Sequence, residues 1–466
     1  NTPVVQLDCI YGFESDTMLK GNVGTGSVEA NAQTSFFSAS SGTTLGSQAT
    51  FRSKRFMKYR PGQGAIGRFT AMYTLGDVDN KYGVDYATQR AGFQNSTGGY
   101  GFGFSGLTAN TKTKTFGIYH VYDGKPEIRN LTINTAPTGT QTVTVTLDGT
   151  AYTATVHSGN TANASAEIAS GNTYGGTWFV DYQDSILTFS SLSAGVRSGT
   201  YSISATGTGT LVNGSFSQVT AGANNTTDWT YQEDWNGPHS IANLDPSKLN
   251  VYQVDYRWLG AGVVRFFMED PTSGDLVQVH QQHWANQHTT PHVDMPSFRI
   301  GYVAAVGAST PSQTAIVKGA SIMGAIQGKI TPTSLSKSWY AQNSTNLITG
   351  SIYHLLSIKL PYTKAGKQNT QEIQLQDMTI SVQGNDPSVV HIFINGNTSS
   401  KLLFTTTPND VYVSEQVGPT FSTATDLPVA SFTVGVNGTS QFDLIPYRLV
   451  LSPGDVLSVA VQSTSG

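Results

Sequence analysis

Four of the nine histidines of this 466-residue sequence lie in one short stretch, VHQQHWANQHTTPHVD. His280, His283, His288 and His292 are separated by two, four and three residues, and Asp294 follows two positions later. Imidazole nitrogens and a carboxylate at close range are the ligands that zinc and iron sites use. The chemistry that this stretch could support is therefore metal binding and metal-assisted catalysis.

The spacing of these histidines favours a loop over a metal centre. It matches neither a helical His-x3-His pair around a glutamate nor the His-x-His pair of a strand. A predicted strand ends near His280, and the Asn-Gln-His-Thr-Thr-Pro run that follows is typical of a loop. We therefore predict no metal and no cofactor, with a structural or interface role first, a metal between subunits second and catalysis last.

Two pairs of neighbouring carboxylates raise the question of glycoside hydrolysis, which needs two carboxyl groups about 5–9 Å apart across a cleft. Glu269 and Asp270 are adjacent on a predicted strand, so they point to opposite faces. Glu233 and Asp234 precede Trp235 in a stretch that could line a sugar-binding surface. The sequence has no nucleophile elbow, Walker loop or dinucleotide fingerprint. We predict that these carboxylates cap turns and that the chain is not an enzyme.

Aromatic side chains are the stronger candidates for ligand contact, because flat rings can stack on sugars. Most of them are predicted to be core, since alternating aromatic residues in a β-sandwich usually face inward. Trp284 is the exception, because it lies in a polar loop, and it is the aromatic residue that we expect to be exposed. Trp235 and Tyr100 are the other candidates for ligand contact.

Composition predicts a β-rich chain with many tight turns. Charged residues are only 12% of the sequence, 49 residues are glycine, and the net charge of −4 argues against nucleic acid as a partner. Cys9 is the single cysteine, so neither an intrachain disulfide nor a cysteine-based zinc site is expected. No run reaches the roughly 18 apolar residues of a membrane helix, so no membrane insertion is expected. The first residues show no signal-peptide pattern, and the sequence could be a processed or truncated product.

One basic run, RSKRFMKYRPG, stands out from this weakly charged background. It contains Arg52, Lys54, Arg55, Lys58 and Arg60. The pattern favours the polar side of a strand or loop that pairs with nearby carboxylates. Contact with an anionic glycan or with a partner subunit is the alternative.

Alternation of apolar and polar residues predicts strands along most of the chain. The segment VYQVDYRW places Tyr252, Val254, Tyr256 and Trp258 on one face of a predicted strand. With VVRFFME and LVQVH it predicts an antiparallel meander. Earlier in the chain, GYGFGFSG and FGIYHVYDGKPEI are also predicted strands. Asp123 and Gly124 in the latter predict a hairpin turn.

Residues 131–223 differ from the rest of the chain in the elements that their sequence predicts. TVTVTLDGTAYTATV predicts a hairpin that turns at Asp148-Gly149. NTANASAEIASGN predicts the one helix, with Thr161 as its N-cap and Gly171 at its end. These signals predict a small α+β domain inserted into a longer β-domain.

The predicted fold is therefore mostly β. A discontinuous jelly-roll or β-sandwich domain (1–130 and 224–328) carries an inserted α+β domain (131–223), and a second β-sandwich follows (329–466). The prediction of this last domain rests on about seven evenly spaced predicted strands, from HLLSIKLP to LVLSPGDVLSVAVQS.

Three segments resemble structural proteins of virus particles. The run from WNGPHSIANLDPSKLN to VHQQHWANQHTTP looks like a module of virion proteins in tailed bacteriophages and large DNA viruses. TVTVTLDGTAYTATVHSGNTANASAEIA is similar to small domains inserted in phage tail and fibre proteins. The segment from HLLSIKLPY to LVLSPGDVLSVAVQS resembles a β-sandwich of the same kind of protein. The resemblance includes no catalytic motif, so it assigns no functional residue.

The resemblance implies a virion structural protein of the fibre, spike or decoration type, exposed on the particle and engaged in host attachment. The absence of a long coiled-coil or β-helical shaft disfavours an extended fibre. Other virion proteins, a host surface glycan and further copies of the chain, for example in a trimer, are the expected partners, and avidity is the expected mechanism. A cellular surface adhesin or carbohydrate-binding module is the first alternative. A glycan depolymerase is the second.

Overall fold

Antiparallel strands dominate the computed structural model, which describes residues 2–76, 81–108, 110–239, 241, 244–328, 337–342, 350–383, 386–407, 411–416, 418–422, 426–447 and 449–464. The mostly-β fold class predicted from the sequence is thereby confirmed. The chain divides into two compact units. The first comprises Asn1–Pro126, Ser193–Gly195 and Gly222–Thr333, and the second comprises Glu127–Leu192, Val196–Ala221 and Ser334–Gly466.

The secondary-structure elements alternate with short turns and are numbered here in chain order. The first stretch contains β1 (Thr2–Asp8), β2 (Met18–Val23), β3 (Ser27–Asn31), β4 (Phe36–Ser40), β5 (Gln48–Ser53), β6 (Ala65–Tyr73), β7 (Ala87–Gln94), β8 (Gly99–Phe104) and β9 (Gly117–Tyr122). The next contains β10 (Pro126–Thr135), β11 (Gln141–Leu147), β12 (Thr150–Val156), α1 (Thr161–Ser170), β13 (Trp178–Gln183), β14 (Ile186–Ala194), β15 (Ser202–Gly207) and β16 (Asn213–Thr220). The third contains β17 (Thr226–Tyr231), β18 (Asn250–Tyr256), β19 (Val264–Glu269), β20 (Leu276–Gln282), β21 (Arg299–Val306), β22 (Ile316–Gly319) and β23 (Ser321–Ile326).

The last stretch contains shorter strands and ends on a long one. Its strands are β24 (Ile352–Lys359), β25 (Thr363–Lys364), β26 (Lys367–Gln368), β27 (Ile373–Gln374), β28 (Asp377–Ser381), β29 (Ser388–Ile394), β30 (Thr405–Thr406), β31 (Tyr412–Ser414), β32 (Thr420–Phe421), β33 (Ala430–Val434), β34 (Thr439–Asp443), β35 (Val450–Leu451) and β36 (Val456–Ser463). Four single-turn 3-10 helices occupy Lys112–Lys114, Tyr174–Gly176, Gln232–Asp234 and Ile445–Tyr447.

The first unit is a sandwich of two antiparallel sheets. One sheet runs β20-β19-β18-β6-β22-β4-β3, and β23 extends it by pairing with both β6 and β1. The other sheet runs β17-β9-β8-β7-β21-β5-β2. The predicted meander of β18, β19 and β20 is confirmed by their antiparallel registers.

Aromatic residues from both sheets form the core of this sandwich. Phe37 on β4 stacks on Phe51 on β5 with ring centroids 4.3 Å apart, and Phe102 on β8 lies 4.8 Å from Tyr252 on β18. These pairs come from opposite sheets, so the two inner faces interdigitate as in other sandwiches. β8 shows the sequence cause, because its aromatic residues alternate with glycines and only one face of the strand carries large side chains.

In the second unit, residues 127–192 and 196–221 contribute to a four-stranded sheet (β13-β14-β10-β16), a three-stranded sheet (β12-β11-β15) and α1 around one hydrophobic cluster. The predicted hairpin is confirmed, because Leu147 pairs with Thr150 across a two-residue turn. The predicted helix is present, but its N-cap was misplaced by one residue. Asn160 is the N-cap, and its side chain accepts a hydrogen bond from the Asn163 backbone at 2.8 Å.

The C-terminal part of the second unit has its own hydrophobic cluster. A sheet in the order β30-β31-β24-β36-β29-β33, with β32 paired to β24, shares this cluster with residues of the short ladders β27-β35 and β28-β34. The cluster joins Ile358, Ile392 and Leu457 of the sheet to Leu451 of a ladder.

Two expectations about the chain path are not confirmed. The hairpin predicted at Asp123-Gly124 is wrong, because β9 pairs with β8 and β17 while β10 belongs to another sheet. The division into three domains stays a prediction, since the second unit holds residues from both predicted later domains. Its boundary at 329 falls in 329–336, outside the described residues. None of the helices in the described part of the chain is long and apolar enough to span a membrane.

Candidate functional site

The predicted histidine stretch meets two strands at one edge of the sandwich in the first unit. There the seven-stranded sheet ends in β17 and the other sheet ends in β20, and the loop after β20 packs on β9 through Trp284. We call residues 283–291 the Trp284 loop. The rings that meet here form the imidazole–aromatic cluster, which consists of Tyr100, His120, Tyr122, Trp284, His288 and His292.

Strands β8 and β9 provide the floor of this cluster. Tyr100 and His120 are cross-strand partners, and their buried rings stack with centroids 4.6 Å apart. Tyr122 lies two residues further along the same face, and its hydroxyl donates to the Asp228 carboxylate at 2.9 Å. Tyr100 was a predicted ligand contact, but it is fully buried, so it cannot contact a ligand at the surface.

Trp284 anchors the loop and is buried, contrary to the expectation of an exposed contact. Its indole Nε1 donates to the Thr290 carbonyl at 2.5 Å, which closes the loop on itself. The indole edge packs on His120, and its face stacks on His288 with centroids 3.6 Å apart and planes 14° apart. His288 is the exposed ring of this stack. The prediction of an exposed Trp284 was wrong, because burial of one large aromatic ring is enough to hold an otherwise polar loop in place.

Hydrogen bonds fix the proton position on His120. Its Nε2 lies 2.7 Å from the His292 carbonyl oxygen, which can only accept, so Nε2 carries the hydrogen. Nδ1 accepts from the Gln282 side-chain amide at 3.2 Å. The Nδ1 of His292 in turn faces the Tyr100 hydroxyl. The backbone N–H of His292 donates to the Gly260 carbonyl at 3.1 Å.

Burial keeps three histidines of this edge uncharged at neutral pH. Loss of hydration lowers the pKa of His120 and of His292 to about 4, and each lies beside a further imidazole that adds to the effect. Burial likewise lowers the pKa of His280 to about 4. The His280 ring packs on Phe266, and its Nδ1 accepts from the Asn236 backbone at 3.3 Å.

The residues considered as metal ligands do not converge. The Nδ1 atoms of His280 and His292 have partners within the fold, His288 stacks on the indole, and His283 and Asp294 are exposed. Among the residues that the structure describes, no three His, Cys, Asp or Glu side chains are arranged to hold an ion.

The remaining candidates have structural partners. Trp235 is half-buried against Phe102 and Phe116, and its Nε1 donates to the Thr230 carbonyl at 3.0 Å. Glu233 and Asp234 both pair with Lys112, at 3.0 and 2.7 Å.

The carboxylate of Asp270 caps the turn after β19 by accepting from the Thr272 backbone at 2.8 Å. Glu269 is exposed at the end of the strand.

Sequence reasoning missed His120 and Tyr122. A signal was present, because Ile118, His120 and Tyr122 alternate in GIYHVYDG and so share a face. The pairing of β8 with β9, which brings His120 onto Tyr100, could not be read from one sequence, since register depends on the partner strand.

The arrangement can hold a polar loop rigid. The cluster is largely buried and hydrogen-bonded, while the surface above it presents one face of the His288 ring together with exposed His283, Asn286, Gln287 and Thr289. These side chains offer amide, hydroxyl and imidazole groups without a carboxylate or a lysine. Such a surface suits recognition of a neutral polar ligand better than a bond-breaking reaction.

Comparisons with known proteins give only distant similarities. No family model and no curated protein matches the chain. Among solved structures, arcelin-5, a lectin-like defence protein from Phaseolus vulgaris, is 9% identical with a TM-score of 0.23, covering 70% of this chain and 100% of that one. A legume lectin-like domain from Entamoeba histolytica is 7% identical (TM-score 0.23; 68% and 96% covered), and LamAcat from Zobellia galactanivorans is 12% identical (TM-score 0.24; 70% and 98% covered). At these identities and TM-scores the similarities carry no argument about the site.

Proposed function

We propose that this chain is a non-enzymatic carbohydrate-binding surface protein and that the Trp284 loop is its contact surface. The observation that carries the proposal is the flat stack of exposed His288 on buried Trp284, with ring centroids 3.6 Å apart. A sugar ring has one face of C–H groups that can lie on such a platform. Its hydroxyl groups can then bond to the neighbouring side chains of Asn286, Gln287 and Thr289.

Rigidity of the loop supports this assignment. The indole hydrogen bond to Thr290 and the packing of Trp284 on His120 fix both ends of the loop before any ligand arrives. A preorganised surface loses less conformational entropy on binding than a free loop would. The absence of carboxylates from the loop itself favours a neutral sugar over a cationic ligand.

We further propose that the protein is displayed on a virus particle, as the resemblance of its segments to virion proteins suggests. There, several copies would convert weak single contacts into firm attachment to a host surface. A cellular adhesin would use the same loop in the same way, so only the location separates these two readings. Immunogold labelling of a producing culture distinguishes them: gold on free particles supports the virion reading, and gold on cell envelopes overturns it.

A glycan array tests the binding proposal. The purified chain is expected to bind at least one class of neutral glycan, and His288→Ala is expected to lose that binding because the platform is removed. His239→Ala is the matched control, since His239 is an exposed histidine of the same unit outside the loop. Equal binding by the wild type and both variants, or binding by none of them, would overturn the proposal.

A further inference from the structure

A depression of about 350 Å³ lies on the outer face of the sheet that contains β6. It lies where this sheet forks, since one side of β6 pairs first with β23 and then with β22. β23 continues to β1, whereas β22 continues to β4. Phe69 and Ile322 on these strands belong to the core, so their sequence neighbours point outward into the depression.

Cross-strand neighbours place the side chains around the depression in two rows. One row contains Gln6, Met323 and Arg68, and the next contains Asp8, Ser321, Thr70 and Val251. The four side chains of Gln6, Asp8, Arg68 and Ser321 are exposed, and the other three are half-buried. The guanidinium of Arg68 is therefore open to a ligand that arrives from solution.

Arg68 is held in place along one edge of its guanidinium. Its Nε and Nη2 both donate to the side-chain oxygen of Gln253, at 2.9 and 2.7 Å. Gln253 is only 8% exposed, and its Nε2 donates in turn to the Asp255 carboxylate at 2.9 Å. Among the described residues no acceptor meets the second edge of the Arg68 guanidinium, which Nη1 and Nη2 form.

Arg68 also lacks a counter-ion, since none of the ion pairs in the described part of the chain includes it. Asp255 is reached only through the glutamine. Arg265 and Arg257 act on the charge of Asp255 more strongly than Arg68 does. Asp8 lies two strand spacings from Arg68, about 10 Å, because β23 runs between their strands.

An exposed guanidinium that is already oriented and lacks a counter-ion suits a carboxylate from solution, which it can bind through two parallel hydrogen bonds. We propose that the depression binds a single acidic sugar residue, with the sugar carboxylate on the free edge of Arg68. Met323 and Val251 offer apolar contact to the C–H groups of the sugar ring. Ser321 and Asp8 can bond to its hydroxyl groups at the other end.

The dimensions and charges of the depression favour one sugar residue over an acidic polymer. A span of about 10 Å between Arg68 and Asp8 fits one pyranose ring with its substituents. The volume of about 350 Å³ is at the small end of the range of ligand sites. The Asp8 carboxylate would repel a second acidic group. This site differs from the Trp284 loop in its residues and in its ligand, so either proposal can fail while the other stands.

Ligand-observed NMR titration with four small compounds tests the proposal: the methyl glycosides of galacturonic acid, sialic acid and galactose, and N-acetylglycine. At least one of the two acidic glycosides is expected to bind. Methyl galactoside lacks the carboxylate and N-acetylglycine lacks the sugar ring, so each is expected to bind about tenfold or more weakly. Equal binding by either of these two compounds, or no binding by the acidic glycosides, would overturn the proposal.

Variants then assign the binding to the depression. Arg68→Gln is expected to weaken binding of the acidic glycoside about tenfold or more, the loss typical of one charge-assisted contact. Arg52→Gln is the matched control, because Arg52 lies on β5 in the other sheet of the same unit, and it is expected to leave the affinity unchanged. An equal loss in both variants would show that the effect is not specific to the depression, and the proposal would fall.

A second pair of variants keeps the test decisive should Arg68→Gln fail to fold. Ser321→Phe fills the depression without removing the charge and is expected to abolish binding of the acidic glycoside. His288→Ala is expected to leave that binding unchanged. Wild-type affinity in Ser321→Phe, or loss of binding in His288→Ala, would place the acidic sugar elsewhere and overturn the proposal.

Discussion

At the scale of the residue, burial decides the charge state of the histidines beside the Trp284 loop. His120, His280 and His292 are each less than a tenth exposed, and the lost hydration lowers the pKa of each imidazole to about 4. In the unfolded chain the same groups have an ordinary pKa near 6.5. Between these two pH values the unfolded chain binds more protons than the native protein does. The free energy of unfolding therefore decreases as the pH is lowered through this range.

The first unit is therefore expected to lose stability as the pH falls from about 6.5 to about 4, by at most about 3 kcal/mol for each of the three histidines. Urea unfolding at several pH values, followed by hydrogen exchange in peptides of β8 and β9, measures this. His120→Gln keeps a donor for the His292 carbonyl and is expected to flatten the pH dependence between pH 6.5 and 4. His239→Gln, at an exposed position, should keep the wild-type slope, and an unchanged slope in His120→Gln would contradict the assignment.

The second unit contains a buried ion pair. Lys359 on β24 pairs with the Asp181 carboxylate on β13, the two side chains being 7% and 3% exposed. The other Asp181 oxygen accepts from the Tyr362 backbone at 2.9 Å. The Lys359 ammonium also lies over the rings of Tyr182 and Phe404.

Lys359→Met is expected to destabilise the second unit by about 3–5 kcal/mol, because it leaves the Asp181 charge buried without its partner. Denaturant unfolding, resolved by hydrogen exchange in β13 and β24, gives the free energy. Lys401→Met is the control, since Lys401 is exposed in the same unit. The double variant Lys359→Met/Asp181→Leu should recover much of the loss, and a cost for Lys359→Met as small as that of the control would refute this account of the pair.

At the scale of the element, the hairpins and strands that depend on local sequence signals were mostly predicted correctly, whereas contacts between distant parts of the chain were not. The Asp148-Gly149 hairpin and the β18-β19-β20 meander followed from turn residues and alternation, which act between chain neighbours. The turn at Asp123-Gly124 carries the same signal, yet no hairpin forms, because β17 from a later part of the chain pairs with β9. The prediction that Trp284 is exposed was wrong for a similar reason, since its partners His120 and Tyr122 are remote in sequence.

The hairpin turn offers a clean test of backbone strain. Gly149 has φ +81°, and a Cβ atom there would meet nothing within 4 Å, so substitution changes only the backbone preference. Gly149→Ala is expected to destabilise the second unit by about 1 kcal/mol. Gly435→Ala is the matched control, because that glycine has equally open space and no positive φ. Equal unfolding free energies for the two variants would show that the turn is not strained.

At the scale of the whole molecule, the proposed function is binding and not catalysis. The described carboxylate pairs serve turns and ion pairs, and the Trp284 loop presents amides, hydroxyls and one flat imidazole. The pure protein is therefore expected to leave the viscosity of any glycan polymer that it binds unchanged over hours. A steady fall in viscosity that survives further purification would instead favour the depolymerase reading.

In the proposed site, the flat ring of His288 on Trp284 is the platform for a sugar. Isothermal titration of the best glycan from the array against the wild type, His288→Ala and His288→Phe tests it most directly. Since phenylalanine keeps a ring on the Trp284 face and alanine does not, His288→Phe is expected to bind within about threefold of the wild type and His288→Ala about tenfold or more weakly. Wild-type affinity in His288→Ala would contradict the account.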